Sequence, residues 1–437
     1  MYKSIGVIMV RDHYINEITP SMEGSKVKIA GWVHEVRETA NITFLLIRDN
    51  TGIIQIIGKK GTVSPDLIKD MRMPKESVIV VYGIVKANKE AKQGCEIIPL
   101  EITNLNPLTT KIPFEITGKV PADMDVRLNY RYIDIRRIKT AAIFKIQSTI
   151  LNTFAHTLNE ENFTQIRTPT IISEASEGGA ELFSMKYYEK KAYLAQSPQL
   201  YKQLAIIGGF DKVFMITPVF RAEKSNTIYH LSESTQMDIE MAFANADDVV
   251  EVLIKVVRTI IKKIIENNQK ELEILDVQLS IPEINIISYA QAIKTLQNAG
   301  HNVDHGTDIT REYEKTLRNK YGDAILIKDF PTSLRAFYSM PHKDNPELTH
   351  SFDLLYKGLE ICSGAQRIHS PDMLINALKN KNLNPDNFKF YIDAFRCGAP
   401  PHAGWSIGLE RLTMQITKAN NIRECAMFPR DRKRITP

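Results

Sequence analysis

One block of the chain, residues 220–242, combines apolar strand residues with charges of both signs. It reads FRAEKSNTIYHLSESTQMDIEMA and runs from an arginine through a polar stretch into a second apolar run. Because side chains alternate along a strand, this pattern predicts one hairpin with charged residues on its faces. These residues are Arg221, Glu223, Asp238 and Glu240. A guanidinium beside fixed carboxylates suits a ligand with a phosphate and an ammonium group, although the block alone also fits an ordinary surface hairpin with ion pairs.

Length and charge limit the classes of protein that this chain can belong to. Its 437 residues are too many for one simple core, which predicts two or three domains. The net charge of +5 permits an anionic partner without requiring one. Apolar runs are too short to cross a bilayer, and no signal-peptide pattern is visible.

Cysteine usage bears on compartment and on metal chemistry. The four cysteines are scattered, and none of them forms a Cys-x-x-Cys pair. This pattern favours reduced thiols in a cytoplasmic protein and argues against a zinc site or a disulfide framework. Any metal is therefore expected to be a hard cation held by carboxylates.

Residues 26–105 alternate short apolar runs with turns. Five β-rich runs occur there, and a short helical break, PDLIKDMRM, separates the third run from the fourth. Five strands with a helix after the third are typical of an oligonucleotide-binding (OB) barrel, which binds single strands on one face. The pattern predicts an OB-fold domain over residues 1–105, with a small barrel of another function as the alternative.

After the barrel, the sequence pattern changes at residue 106 and again at residue 129. Residues 106–128 contain three prolines and little periodicity, which predicts a linker. Helical and strand patterns alternate over residues 129–437, including a long amphipathic helix over 247–268 whose inner face we assign to core packing. Residues 270–345 are interpreted as an insertion. The predicted class is α+β, with an N-terminal barrel and a larger domain of sheet and helices.

The larger domain contains several motifs in a characteristic order. A helix and strand ending at Pro169 come first, the 220–242 hairpin second, and GWSIGLER, residues 404–411, third. This order resembles the three motifs of class II aminoacyl-tRNA synthetases. The segments SEGGAELF, AQSPQLYKQ, EICSGAQRIH and FPRDRKRITP resemble the aspartyl family in its archaeal and eukaryotic-like form. The resemblance implies a homodimer, with Pro169 at its interface, whose antiparallel-sheet catalytic domain joins L-aspartate to tRNA through an aspartyl-adenylate.

The resemblance assigns the ATP and Mg²⁺ chemistry to the second and third motifs. Arg221 is expected at the α-phosphate, where a planar fork suits a bridging role, and Arg411 at the γ-phosphate. Glu360 completes the catalytic set. The further ATP contacts are expected from Ala222, Glu223, Tyr229, His230, Leu231, Gly408, Leu409 and Glu410. The expected Mg²⁺ ligands are Glu360 and Ser363, with Asp353 as a second carboxylate, because such oxygens beside a triphosphate suit a hard cation.

The resemblance also implies a pocket for a dicarboxylic amino acid. Lys202 and Arg367 are expected on its side-chain carboxylate, and Asp238 on its ammonium group. The further contacts are expected from Ser176, Glu177, Gln199, Arg221 and Ser363. A bidentate arginine rejects the neutral amide, which would leave the guanidinium without a charged partner. The asparaginyl enzyme, the closest rival on this scaffold, typically lacks the lysine of Gln-x-x-Lys that this chain keeps.

The barrel carries residues that match the anticodon-reading residues of the family. Phe44 is expected to stack on a base while Gln55 reads the edge of that base. The residues expected beside neighbouring bases are Arg37 and Glu96. His34 matches enzymes of relaxed specificity, which charge both tRNA(Asp) and tRNA(Asn). The segment AKQG keeps Lys92 and lacks the proline that is usual in relaxed enzymes, so it matches strict enzymes instead. We expect relaxed charging, with a strictly discriminating enzyme as the alternative.

Three residues depart from the family pattern. Ser234 stands where relatives often carry an adenine-stacking phenylalanine, and Ser406 replaces a glycine close to the nucleotide. Tyr229 stands where a loop arginine is common. None of these changes removes a charged catalytic group, so we expect an active enzyme with a modest ATP affinity. A tRNA-binding paralogue without ligase activity is the alternative from a different class of function.

Overall fold

The structure of the protein is a computed structural model, which describes residues 10–173, 182–224 and 227–437. The chain divides into two compact units, Met1–Phe114 and Glu115–Pro437. The division falls inside the segment for which the sequence predicted a linker, and a short helix begins in that segment at Met124. None of the helices in the described ranges is both long and apolar enough to cross a membrane.

The first unit forms a closed barrel that contains five strands within its described residues. The elements are β1 (Lys26–Glu38), β2 (Ile42–Arg48), β3 (Ile53–Lys59), α1 (Pro65–Asp70), β4 (Val78–Ala87) and β5 (Cys95–Asn106). The strands close in the order β1-β2-β3-β5-β4. Alternate residues of each strand are buried in the barrel core, including Val27, Leu45 and Ile56. The predicted OB fold, with its helix after the third strand, is confirmed.

The second unit begins with helices and short strands. These are α2 (Met124–Asn129), α3 (Arg131–Asp134), α4 (Ile138–Glu160), β6 (Thr164–Gln165), β7 (Ile171–Ile172), β8 (Ser184–Tyr187), β9 (Lys190–Leu194) and α5 (Gln199–Ile207). The sequence predicted a strand over residues 163–168, but β6 covers only two of them, because it pairs with one neighbour, at Val213 and Phe214. Pro169 lies beyond the end of β6 and is exposed.

The remaining elements build the main sheet and its helices. They are β10 (Lys212–Phe220), β11 (Glu233–Ala242), α6 (Ala246–Asn267), α7 (Gln269–Leu275), β12 (Ile284–Ser288), α8 (Tyr289–Asn298), α9 (Arg311–Tyr321), β13 (Ala324–Lys328), β14 (Ser351–Tyr356), β15 (Glu360–Gln366), α10 (Pro371–Asn380), α11 (Lys389–Arg396), β16 (His402–Gly408) and α12 (Leu409–Thr417). The strand order, among described residues, is β12-β13-β14-β15-β16-β11-β10-β6. Most neighbours are antiparallel, as predicted, and β12 and β13 of the interpreted insertion extend this same sheet.

Two long helices cover one face of the sheet. The apolar stripe of α4, which includes Ile146 and Phe154, packs with the buried face of α6 and with Trp405 of β16. The Trp405 indole also donates a hydrogen bond of 2.9 Å to the Val249 carbonyl of α6. Because side chains alternate along β11 and β16, the residues between these apolar positions face away from the helices. That second face carries the charged and polar residues of the candidate site.

Candidate active site

An open cavity of about 200 Å³ lies at the ends of β10, β15 and β16. Most residues expected at the nucleotide line it: Arg221, Glu223, Tyr229, His230, Leu231, Glu360, Gly408, Glu410 and Arg411. Ser363, expected at the metal, lines it too, while Ala222 and Leu409 are only chain neighbours of lining residues. The cavity thus brings together residues from three distant parts of the sequence.

The loop after β10 supplies a half-exposed guanidinium and an imidazole. The Arg221 side chain is 42% exposed, and its nearest carboxylate oxygen, on Glu223, is 3.9 Å away. The imidazole of His230 shares a hydrogen bond of 2.6 Å with the Thr227 hydroxyl. Burial lowers the pKa of His230, and the neighbouring guanidinium of Arg411 lowers it further. The cavity therefore offers the guanidinium groups of Arg221 and Arg411 to an anion, beside a neutral imidazole and the carboxylates of Glu223 and Glu360.

Arg411 reaches the cavity from the first turn of α12. Its Nη1 donates to the Glu360 carbonyl at 3.2 Å and to the Glu360 carboxylate at 3.3 Å. The backbone amide of Glu360 in turn donates to Glu314 Oε1 at 3.0 Å. Burial raises the pKa of Glu314 to about 7. The strand-to-helix transition at Gly408 therefore places one arginine and one carboxylate side by side.

A third arginine, which sequence reasoning missed, comes from α9. The Arg311 guanidinium lies over the Tyr229 ring, 4.2 Å from the ring centroid, and Nη1 donates to Glu314 Oε2 at 3.1 Å. Tyr229 stands where the sequence suggested the loss of a loop arginine, so a guanidinium from another element lies at that place. No local pattern relates residue 311 to residue 229, and only the packing of α9 reveals the pair.

Beside the cavity lies a buried ion network, which we define as Lys202, Asp238, Glu240 and Arg367. The ammonium of Lys202 lies 2.9 Å from Asp238 Oδ1 and 3.4 Å from Glu240 Oε2. Arg367 makes a bidentate pair with Glu240, in which Nε donates at 2.8 Å and Nη2 at 3.2 Å. All four residues are at most 3% exposed. The four residues were singled out in the sequence, and the fold brings them into direct contact.

The ionisation of the two carboxylates differs although both are buried. Burial raises the pKa of Asp238, an effect that Lys202 only partly offsets. Burial acts on Glu240 in the same direction, but the charges of Arg367 and Lys202 outweigh it and lower the pKa of Glu240. With two cations and two anions the network is neutral overall, so each charge is compensated inside the protein.

Ser406 links the buried ion network to the cavity. Its hydroxyl donates to Asp238 Oδ2 at 3.1 Å, and the same residue lines the cavity. The serine that departs from the family pattern therefore holds the second oxygen of Asp238. Two residues earlier on β16, a side chain at Gly404 would overlap the Glu240 carboxylate and the Ile239 carbonyl, so only glycine fits there.

Helix α5 positions Lys202 and Gln199. Lys202 also donates to the carbonyls of Ile239, at 3.3 Å, and Trp405, at 3.4 Å, so its three protons are engaged. Gln199 donates to Gln203 Oε1 at 2.9 Å and is buried. These contacts fix α5 against the sheet. Ser176 and Glu177, the other residues expected around the amino acid, lie outside the described residues.

The expected metal ligands lie together but are not equally available. Asp353 and Ser363 are opposite each other on β14 and β15. Both oxygens of Asp353 are held by Arg335, at 3.0 and 2.8 Å. Glu360, with 38% of its side chain exposed, pairs with Arg411. The Ser363 hydroxyl accepts from Arg335 Nη1 at 3.3 Å. Glu360 and Ser363 line the cavity with oxygens that fit a hard cation, whereas both oxygens of Asp353 are paired with Arg335.

Four of the anticodon candidates, His34, Arg37, Phe44 and Gln55, lie on positions of the barrel strands that are not buried in the core. Arg37 on β1 pairs directly with Phe44 on β2, and Phe44 alternates with core residues of that strand. Gln55 donates to the buried Glu96 at 2.9 Å. His34 Nδ1 lies 3.2 Å from an Arg48 nitrogen, and burial, then Arg48, lowers the pKa of His34. Lys92 is exposed in the loop between β4 and β5.

The fold and the site together define the class of this protein. The family model described as tRNA synthetases class II (D, K and N) matches residues 123–432, and the model described as OB-fold nucleic acid binding domain matches residues 27–105. The chain belongs to the class II tRNA synthetase family of D, K and N enzymes.

Individual relatives match the whole chain. It is 45% identical to an aspartate–tRNA(Asp/Asn) ligase of Methanocaldococcus jannaschii, with 98% of each chain covered. It is 44% identical to the ligase of the same name from Archaeoglobus fulgidus, over 97% of this chain and 99% of that one. Among solved structures, the asparaginyl-tRNA synthetase of Pyrococcus horikoshii with asparaginyl-adenylate aligns with a TM-score of 0.93 at 33% identity, covering 98% and 100% of the two chains. The aspartyl-tRNA synthetase of Entamoeba histolytica aligns with a TM-score of 0.90, also at 33% identity, covering 100% and 95%.

Proposed function

We propose that this protein is an aspartate–tRNA ligase that charges both tRNA(Asp) and tRNA(Asn). The observation that carries the choice of amino acid is the buried ion network beside the cavity. Arg367 uses Nε and Nη2 for Glu240, and within the described chain its Nη1 has no hydrogen-bond partner. A guanidinium nitrogen left available in this way favours a carboxylate side chain and disfavours an amide. The names of the sequence relatives agree with this choice.

The roles within the pocket follow from the contacts. Arg367 binds the side-chain carboxylate of aspartate through Nη1, and Asp238 binds its ammonium group. Lys202 supplies positive charge next to Asp238, although its protons are already engaged. Because these groups are fixed before the substrate arrives, little reorganisation accompanies binding.

The cavity performs the activation step. The α-carboxylate of aspartate attacks the α-phosphorus of ATP, the aspartyl-adenylate forms, and pyrophosphate leaves. Arg221 holds the α-phosphate and the attacking carboxylate together, while Arg411 and Arg311 compensate the charge of the terminal phosphates and the neutral His230 offers a hydrogen bond. Such catalysis depends on alignment and on fixed positive charge. The 3′-terminal adenosine of tRNA then takes the aspartyl group and releases AMP.

The donor set at the cavity fits Mg²⁺. Glu360 and Ser363 provide a carboxylate and a hydroxyl, and the phosphate oxygens of the nucleotide provide further ligands. When bound, Mg²⁺ neutralises phosphate charge and orients the triphosphate. We retain Asp353 as an outer residue that fixes Ser363 and Arg335, with its place in the direct ligand set still a prediction.

The barrel reads the anticodon, with Phe44 as the stacking residue and Gln55, fixed by Glu96, on a base edge. His34, held neutral beside Arg48, contacts the third anticodon base without rejecting either tRNA. The working enzyme is a homodimer of the cytoplasm, with Pro169 at the two-fold interface. These assignments extend the family resemblance to named residues of this chain.

Amino-acid-dependent exchange of pyrophosphate into ATP tests the choice of substrate. We expect exchange with aspartate to exceed exchange with asparagine by about 10⁴-fold, the discrimination of a site built around a charged partner. Exchange that is faster with asparagine would identify an asparaginyl enzyme, the alternative favoured by the similarity to the Pyrococcus horikoshii structure. Absence of exchange with every amino acid would identify a tRNA-binding paralogue.

Charging of purified tRNA(Asp) and tRNA(Asn) with labelled aspartate tests the choice of tRNA. Comparable charging of both is expected. A large preference for tRNA(Asp) would establish the strictly discriminating alternative. A His34→Trp variant should then be compared with the parent, since a larger ring at this place is expected to reduce charging of tRNA(Asn) while leaving pyrophosphate exchange unchanged.

A further inference from the structure

We propose that Asp329, His342 and His350 form a binding site for a divalent transition-metal ion, separate from the Mg²⁺ site of the cavity. Within the described residues, one carboxylate oxygen and one nitrogen from each imidazole all lie within 4.8 Å of one another. A carboxylate with two imidazoles is a ligand set that suits Zn²⁺, Co²⁺ or Ni²⁺ better than Mg²⁺.

Backbone hydrogen bonds fix the three residues in place. Asp329 follows β13, and its amide donates to the Ser351 carbonyl at 2.9 Å. The chain segments around the two histidines run side by side: the amide of His342 donates to the Leu348 carbonyl, and the amide of His350 to the Met340 carbonyl, each at 2.9 Å. His342 and His350 are therefore diagonal neighbours on one face of this pairing.

The side chains are already oriented toward one another. His342 Nε2 lies 3.0 Å from Asp329 Oδ1. The ring centroids of His342 and His350 are 3.7 Å apart, with an angle of 34° between the rings. A tetrahedral ion with ligands at about 2.0–2.1 Å requires ligand atoms roughly 3.4 Å apart. The three ligand atoms, all within 4.8 Å of one another, lie close to that spacing.

A structural aspartate–histidine pair alone does not account for the second imidazole. In the described part of the chain, the His350 ring makes no hydrogen bond and its polar contact is the stacked ring of His342. Two protonated rings at this distance would repel each other.

The surrounding charges are compatible with a cation. Lys328, the nearest ammonium group, forms an ion pair with Asp247 at the start of α6. The side chains of His342 and Asp329 are 27% and 33% exposed, and His350 is partly exposed, so an ion can enter from solvent. None of them lines the cavity that holds Arg221 and Arg411. Metal binding here is therefore separable from the ligase reaction.

Spectroscopic titration of the full-length, untagged and chelator-treated protein with Co²⁺ tests the site. We expect binding of one Co²⁺ with a visible d–d absorption band. His342→Asn and His350→Asn should each weaken Co²⁺ binding by at least about tenfold, since even outer-shell changes at metal sites cost that much. Asp329→Asn keeps the side-chain shape and should weaken binding similarly.

His156→Asn is the matched control, because His156 lies 3.3 Å from the Glu160 carboxylate with no second imidazole in the pair. Unchanged Co²⁺ binding in this variant, with loss in the three ligand variants, supports the site. The proposal is overturned if the parent binds no Co²⁺, or if the ligand variants bind it as the parent does. Circular dichroism of each variant confirms that it is folded, and a stabilising shift of the parent melting temperature by Zn²⁺ that the ligand variants lack gives a second readout.

Discussion

The buried ion network and the open cavity both contain arginines opposite carboxylates, yet the two regions treat charge in opposite ways. In the network, Arg367 and Glu240 meet in a bidentate pair that is at most 4% exposed. In the cavity, Arg221 is 42% exposed and its nearest carboxylate oxygen is 3.9 Å away. The first arrangement is fixed by ion pairs before a substrate binds and leaves Arg367 Nη1 for it, whereas the second leaves whole guanidinium groups available. We infer from this contrast that the side chains that select the amino acid are held in place before it binds. The arginines of the cavity find their charged partners only when the phosphates of the nucleotide bind.

The largest effect is expected from breaking the network with Arg367→Met. Removing one partner of a buried ion pair costs about 3–5 kcal/mol of stability, because the remaining charge is left uncompensated. Aspartate-dependent pyrophosphate exchange should also fall by about 10⁴-fold. Urea unfolding and the exchange assay measure the two effects. The double variant Arg367→Met/Glu240→Leu should recover stability but not exchange, and full activity of the single variant would contradict the assignment.

Arg221→Ala should show the reverse pattern. Exposed ion pairs contribute at most about 1 kcal/mol, so the melting temperature should change little. Exchange should fall by about 10²–10³-fold, the usual effect of removing one group that stabilises the charge of a transition state. Arg396→Ala, which removes an exposed arginine paired with Asp393, is the matched control and should alter neither quantity. A loss of stability in Arg221→Ala as large as in Arg367→Met would remove the contrast between the regions.

Glu410 is a buried carboxyl group in the wall of the cavity, and it tests whether burial alone can raise the pKa of such a group. Burial raises its pKa to about 7 from 4.5, while its carboxylate accepts hydrogen bonds from the Thr235 amide. Because the folded-state pKa is the higher one, this group stabilises the fold fully below pH 4.5, and that contribution, at most about 3 kcal/mol, is lost as the pH rises through about 7. Glu410→Gln should flatten the dependence of urea-unfolding free energy on pH across this range. An unchanged profile would show that Glu410 ionises normally.

The smallest effect concerns Arg311 and Tyr229. Arg311→Leu removes a cation–π contact and a charge near the nucleotide, which should raise KM for ATP by about 5–30-fold, equivalent to about 1–2 kcal/mol. The double variant Tyr229→Arg/Arg311→Leu should regain most of the lost ATP affinity, because it returns the guanidinium to the loop. ATP–pyrophosphate exchange at varied ATP measures both. Arg311→Leu with an unchanged KM would show that Arg311 serves only the packing of α9.

The sequence predicted whatever depends on local periodicity. Strand alternation was enough to place Asp238 and Glu240 on one face of β11, and the turn chemistry of the barrel was enough for its five strands and helix. It did not predict that the Lys202 ammonium donates hydrogen bonds to Asp238 and to two backbone carbonyls, because these contacts depend on how α5 packs across the sheet. The contact between Arg311 and Tyr229 likewise depends on tertiary packing, as does the pairing of Asp353 with Arg335.

Gly404 limits the substitutions that this protein can accept during evolution. No other residue fits there without displacing the Glu240 carboxylate, so a mutation at this position would disturb the partner of Arg367 directly. Ser234, Ser406 and Tyr229 instead line the open cavity, and these are the three positions at which the sequence resemblance predicted a departure from the family pattern. We therefore expect the residues that hold the nucleotide to diverge among relatives, while the residues that select the amino-acid substrate change little.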